Sequence, residues 1–205
     1  MKRAKALFIP LALLVAFLAA GAASATTPPF TNTTVVNGNL SPAANGAALL
    51  AAVAGATPPA LVKVEPGFYD LGNGTLVMRD LVDVEGSGRD VTFIESSAGL
   101  PNSNSAVVVP ANATAELREL TVRNTSDASG VGVLIQSSRF LLTEVNVESG
   151  VSGQFIGVSV FDSSPRINEV FVRGGSGSGA TGFRFSSSGA VVTDSFAFVS
   201  AQGQS

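Results

Sequence analysis

The sequence contains no cysteine, no histidine and no tryptophan. Without cysteine there is neither a disulfide framework nor a thiolate nucleophile. Without histidine there is no Ser-His-Asp triad, and the two absences together remove the usual zinc ligands. Charge is scarce as well: Asp, Glu, Lys and Arg make up 13% of 205 residues, and the formal net charge is −3. Such a chain has no basic field to draw nucleic-acid phosphates, so nucleic acid is not expected as a partner. Glycine is plentiful, at 22 residues, beside an apolar fraction of 45%.

Lys2, Arg3 and Lys5 precede an apolar run from Ala6 to Ala20, interrupted by Pro10 and followed by Ala23-Ser24-Ala25. A positive start, a short apolar stretch and a small-residue box read as a secretory signal peptide over residues 1–25. A bilayer span needs about 20 uninterrupted apolar residues, so no membrane anchor is expected after cleavage. The expected location is extracellular, periplasmic or at the cell surface. Removing the signal leaves 9 Lys plus Arg against 15 Asp plus Glu, a formal charge of −6. An exported domain of this size without disulfides must be held by packing and backbone hydrogen bonds.

Self-similarity organises the second half. Leu117-Arg118-Glu119-Leu120-Thr121-Val122, Leu142-Thr143-Glu144-Val145-Asn146-Val147, Ile167-Asn168-Glu169-Val170-Phe171-Val172 and Val192-Thr193-Asp194 recur every 25 residues. A second block, starting at Val107, Gly132, Gly157 and Gly182, keeps the same step. Alternation within each block marks strands with one buried face. It places the columns 108, 133, 158, 183 and 110, 135, 160, 185 inside, together with Leu120, Val145, Val170 and Val122, Val147, Val172. A 25-residue unit has no room for a crossover helix. The chain must therefore coil as a solenoid of parallel strands stacked about 4.8 Å apart. The predicted fold class is all-β, a right-handed single-stranded parallel β-helix.

The column Glu119, Glu144, Glu169, Asp194 reads as a solvated outer face, balanced by Arg123, Glu148 and Arg173; calcium bridging is the alternative. In the last turn a one-residue bulge is expected to return Phe196 and Phe198 to the core. Nothing amphipathic follows to cover the open end, so self-association through the C-terminal edge is an expected contact.

Residues 26–40 are rich in Thr, Asn and Pro and read as an extended, disordered segment. The β-helix domain is assigned to 41–205, with a capping helix and linker at 41–60, irregular first turns at 61–105 and four regular turns at 106–205. Ser41-Pro42 supplies an N-cap and a first-turn proline, and Leu49, Leu50 and Val53 share one face of the helix that follows. That apolar stripe suits a cap over the N-terminal mouth of the coil.

Val62-Lys63-Val64-Glu65-Pro66-Gly67-Phe68-Tyr69, then Val84-Glu85-Gly86-Ser87-Gly88-Arg89-Asp90-Val91-Thr92-Phe93-Ile94, resembles the opening of pectin-lyase-like right-handed β-helix proteins, most closely pectinesterases. Leu120-Thr121-Val122-Arg123-Asn124-Thr125 is similar to the stretch those enzymes carry before their active site. The resemblance spans roughly residues 40–200 and implies three polar catalytic positions. They fall on Gly130, where pectinesterases have Gln, on Gln154-Phe155, where they have Gln-Asp, and on Gly182, where they have the nucleophilic Asp. Of these groups only Gln154 is kept. Ester cleavage by aspartate needs one carboxylate to attack and a second group to move the proton, so the resemblance implies a non-catalytic relative.

Gln136, Gln154, Asp162 and Arg184 lie on or beside the strands where such relatives bind sugar chains, and Phe171 offers a ring for stacking. These five are the candidate carbohydrate-binding residues. No catalytic residue, metal site or cofactor is assigned. The expected function is a secreted, non-catalytic β-helix protein for polysaccharide binding or surface display. The alternatives are a pectin-active esterase or lyase, and a structural or adhesive segment of a longer passenger protein.

Overall fold

The computed structural model describes residues 30–99, 105–126, 129–150, 154–174 and 179–199. The stretch read as a signal peptide (1–25), residues 26–29 and residues 200–205 of the expected last turn lie outside the described residues.

Three stacks of parallel strands build a β-solenoid of roughly six turns with one short helix. The first stack runs Asn32–Val36 (β1), Ala60–Val64 (β2), Val82–Glu85 (β5), Glu116–Asn124 (β8), Leu141–Ser149 (β10), Arg166–Asn168 (β12) and Val191–Thr193 (β15). The second shares β8 and β10 with the first and adds Gly67–Asp70 (β3), Thr92–Ser96 (β6), Phe171–Gly174 (β13) and Phe196–Val199 (β16). The third comprises Leu76–Val77 (β4), Ser105–Val109 (β7), Ser129–Gln136 (β9), Gln154–Phe161 (β11) and Thr181–Ser186 (β14). Part of the stretch read as disordered thus joins the solenoid, because β1 pairs in register with β2.

The 25-residue step is the pairing register. Leu117, Leu142, Ile167 and Val192 are successive partners, as are Val133, Val158 and Phe183. Leu117, Leu142, Ile167, Val133 and Val158 form apolar ladders with Leu120, Val145, Val170 and Val122, Val147, Val172, buried together in one core, and Phe183 packs partly buried against them.

Two expected core assignments are corrected. Between β7 and β9 the step is 26: Val107 pairs with Val133 and Val109 with Ile135. Val107 and Val109 are therefore the buried residues, Val108 faces outward opposite Leu134, and Pro110 falls in the turn. The turn after β7 holds one residue more than its successors, and the 25-residue step resumes where the Asn112 amide donates to the Ser137 carbonyl at 2.9 Å. In the last turn there is no bulge. Phe196 pairs with Phe171 and Phe198 with Arg173, which leaves the two rings 59% and 73% exposed. The Ser195 hydroxyl holds this register: it accepts from the Val170 amide at 3.0 Å and donates to the Thr193 carbonyl at 2.7 Å. Val191, Val192 and Phe185 are also exposed in this last described layer.

Corners repeat with the strands. Glu119, Glu144, Glu169 and Asp194 all have positive φ, between 48° and 56°. The acidic column thus marks the bend between the first and second stacks, and the β8–β10 pairing skips its members. Asn112, Ser137, Asp162 and Ser187 form a second positive-φ column after the third stack. A third corner is set by space. A Cβ on Gly132, Gly157 or Gly182 would come within 2.1 to 2.2 Å of a side-chain carbon of Val147, Val172 or Ala197 respectively.

The helix Pro42–Gly55 (α1) closes the N-terminal mouth as its sequence predicts. Ser41 Oγ accepts from the Ala44 amide, and Leu49 and Val53 are fully buried. Buried Asn45 ties the helix to the coil, its Nδ2 donating to the carbonyls of Gly38 and Phe68 at 3.0 Å. At the other helix end Arg79 Nη1 donates to the carbonyls of Ala54 and Ala56 at 2.6 and 2.8 Å, placing a cation where the helix dipole favours one.

Gly157→Ala is expected to cost about 1–3 kcal/mol by overpacking, because the methyl would meet Val172 Cγ1 and the Gly182 carbonyl. Urea denaturation measures it, and Ser159→Ala in the same strand serves as the control. At the acidic corner, Glu144→Val is expected to destabilise by about 1–3 kcal/mol, while Glu144→Asn is neutral or better, since asparagine tolerates positive φ and β-branched residues do not.

Candidate functional site

Outward-facing residues of the third stack form two adjoining columns. Leu134, Ser159 and Arg184 are successive partners, and beside them so are Gln136, Phe161 and Ser186. With Val131 and Val160 they line an open groove of about 610 Å³. Arg184 Nε donates to Ser159 Oγ at 3.3 Å, which lays the guanidinium along the groove floor. Phe161 is 53% exposed, a large ring left in water at the rim. The sequence reading overlooked it, although the parity that turns Val158 and Val160 inward also turns Phe161 outward.

Of the five candidate residues, Gln136 and Arg184 meet in this groove. Asp162 does not: it occupies the positive-φ corner next to Phe161 and lines a neighbouring polar cavity with Asn112, Ser137, Ser138 and Arg139. Gln154 is exposed at the opposite end of β11, beside Gly179. Phe171 belongs to another face. It lies in the second stack, half-buried, with the Arg89 guanidinium 4.8 Å over its ring and Phe196 edge-on at 4.4 Å. Phe171 is thus not among the residues that line the groove with Gln136 and Arg184.

The positions where the resemblance puts catalytic acids have no side chain in the groove. Phe155 is 2% exposed and packs in the core, approached by Gly174. At Gly182 a Cβ would stand 2.1 Å from that of Ala197, so no aspartate fits without displacing the facing strand.

No protein-family model matches the sequence, and no curated protein matches it either. Among solved structures the chain overlaps a pectin methylesterase in complex with a hexasaccharide, at 15% identity and a TM-score of 0.52, over 76% of this chain and 54% of that one. The fold is that of a pectin-lyase-like parallel β-helix. Pectin methylesterase PemA from Erwinia chrysanthemi also overlaps, at 13% identity and a TM-score of 0.44, covering 74% of this chain and 56% of that one. The chain spans about half the length of these pectinesterase structures.

A charge cluster sits elsewhere on this pectinesterase-like scaffold, on the outside of the first stack. Lys63 Nζ lies 2.9 Å from Glu85, and Arg118 bonds both Glu85 and Glu116. Asp83 is fully buried beneath them. Its Oδ1 accepts from the Glu116 amide at 2.9 Å, while Oδ2 has no hydrogen bond and lies 3.6 Å from Arg118 Nη1. Burial pushes the Asp83 carboxyl up to about 6. The Glu116 amide and the Arg118 guanidinium pull it down, and the Glu116 charge adds to the rise. Glu85 is also partly desolvated, but its bonds to Lys63 and Arg118 hold it below the usual carboxylate range.

Because the folded-state value of Asp83 is raised, the native chain keeps a proton that the unfolded chain releases. Its contribution to stability is therefore highest below about pH 4 and is lost as pH rises through 6. The loss amounts to about 3 kcal/mol for a shift of this size in a fully buried group. Urea melts at several pH values are expected to show this fall between pH 4 and 6 in the native chain. In Asp83→Asn it is expected to disappear.

Proposed function

We propose that the chain is an exported, non-catalytic protein that binds an acidic, uronate-type polysaccharide along the outer groove of the third stack. The observation carrying this reading is the groove lining: a guanidinium from Arg184, the Gln136 amide and the exposed Phe161 ring, with no carboxylate among its described residues. Guanidinium is the side chain best matched to a carboxylate, and an aromatic face packs against the apolar side of a sugar ring. Displacement at an ester carbonyl needs an activated nucleophile and a proton-transfer partner, and the groove's lining residues supply neither. The pectin methylesterase bound to a hexasaccharide supports the ligand class, as a protein of the same fold that holds a sugar chain.

Calorimetric titration with oligogalacturonate is expected to give saturable binding that weakens as salt is raised. Arg184→Ala and Phe161→Ala are each expected to weaken it tenfold or more. Methylated pectin incubated with the protein is expected to release no methanol. Methanol release that Asp162→Ala abolishes would replace this reading with an esterase.

A second reading, display through self-association, is favoured by the exposed Phe185, Phe196 and Phe198 of the last described layer. Sedimentation that depends on protein concentration would favour it.

A further inference from the structure

We propose that the polar cavity beyond the ends of β9 and β11 is a second ligand site, separate from the groove, and that it takes a neutral, hydroxyl-rich sugar residue. The cavity measures about 470 Å³, within the roughly 300–1,000 Å³ of small-molecule sites, and its walls include Asn112, Ser137, Ser138, Arg139, Asp162 and Ser163.

The register creates an unmet hydrogen bond there. Ser138, Ser163 and Ser188 follow one another at the 25-residue step. The Ser163 hydroxyl donates to the Phe161 carbonyl at 2.7 Å and accepts from the Ser138 amide at 3.1 Å. Ser188 is satisfied too, through different partners: it donates to the Ser163 carbonyl at 2.9 Å and accepts from the Ala190 amide at 3.1 Å. For Ser138 the corresponding position one layer back is Ala113. Its amide is already bonded to the Pro110 carbonyl at 3.3 Å, in the turn that carries the extra residue. Ser138 is left 5% exposed with no hydrogen-bond partner for its hydroxyl oxygen. A buried hydroxyl of this kind requires a partner, and the cavity it lines is where one can enter.

The rest of the lining defines that partner. Arg139 and Asp162 both line the cavity, and neither side chain has an ion pair or hydrogen bond among the described residues. An inorganic anion would meet the Asp162 carboxylate and a metal cation the Arg139 guanidinium, so the pair selects against either. A sugar ring carries no charge, and its hydroxyls both donate and accept. It can accept from Arg139, donate to Asp162 and do either with Ser138.

The full chain is titrated with the methyl glycosides of glucose, galactose and mannose, followed by protein-observed NMR. At least one is expected to bind saturably, with affinity reduced tenfold or more in Arg139→Ala and in Asp162→Asn and about threefold in Ser138→Ala. Arg184→Ala and Phe161→Ala are expected to leave it unchanged. Both charged positions are exposed, so these variants should keep the wild-type circular dichroism and melting temperature. The proposal is overturned if no glycoside binds, if Arg139→Ala and Asp162→Asn bind as the native chain does, or if Arg184→Ala also removes binding. Oligogalacturonate binding through Arg184 and Phe161 stands or fails independently of these outcomes.

Discussion

Backbone pairing between successive turns is the constraint that governs this molecule. The strands of each layer pair with those of the one before, in register at 25 residues from β8 onward. A backbone torsion fixed in one layer must therefore recur in the next. That is why three glutamates, at 119, 144 and 169, tolerate a left-handed conformation normally left to glycine, asparagine or aspartate. Each such corner costs on the order of 1 kcal/mol. A layer that refused it would forfeit several ladder hydrogen bonds, each of comparable net value and costly to leave unmade in a buried setting. The same pressure produces the glycine column 132, 157, 182, where one layer's close approach to the facing side chain, Val147, Val172 or Ala197, is inherited by the next.

Stacking identical positions would also stack identical charges, and the chain handles this differently on each face. On the second stack the signs alternate: Arg123 lies between Glu95 and Glu148, 3.3 and 2.9 Å from their carboxylates. At the acidic corner the carboxylates follow one another, but the residues are partly exposed at 119, 144 and 169 and exposed at 194, and in contact with water repulsion between neighbours is about 1 kcal/mol. On the first stack Asp83 is trapped under its partners and pays for burial through a raised proton affinity. Residues 86–91 add a strap across these layers: Thr121 Oγ1 donates to the Arg89 carbonyl, and Arg89 reaches the Glu169 carbonyl at 3.2 Å, 80 residues along the chain.

The repeat was legible in the sequence because core ladders leave a periodic apolar trace, and Leu117, Leu142, Ile167 and Val192 show it directly. The capping helix was legible for a local reason, the Ser41-Pro42 start before an apolar face. The misread positions were those where periodicity alone is ambiguous. In Val107-Val108-Val109 every residue is valine, so alternation cannot tell which face is buried, and the extra residue after β7 decides it. At the other end, apolar character argued for burying Phe196 and Phe198, whereas Ser195 fixes the opposite register. The groove was half legible: polar Gln136 and Arg184 stood out, but Phe161 drew no attention until its partners Gln136 and Ser186 showed that it shares their face. The contact of Arg89 with the Phe171 ring was not legible, because nothing in the sequence shows where the 86–91 strap runs.

What distinguishes the outer columns of the third stack from the core ladders beside them is their freedom to drift. Inward positions keep to valine, isoleucine and phenylalanine because each must fill the volume its neighbours leave. Outward, the sequence passes from Leu134 through Ser159 to Arg184, and from Gln136 through Phe161 to Ser186, with the backbone unchanged. A surface of this kind sets a different functional group every 4.8 Å or so along a rigid axis. A polymer lying across the strands would meet those groups in sequence, with little conformational entropy lost by the protein on binding. Rigidity comes from the register and selectivity from the drift, so a change such as Arg184→Ala acts on the ligand with little effect on the fold. A change at Gly182, one strand position from the core ladder, acts on the fold first.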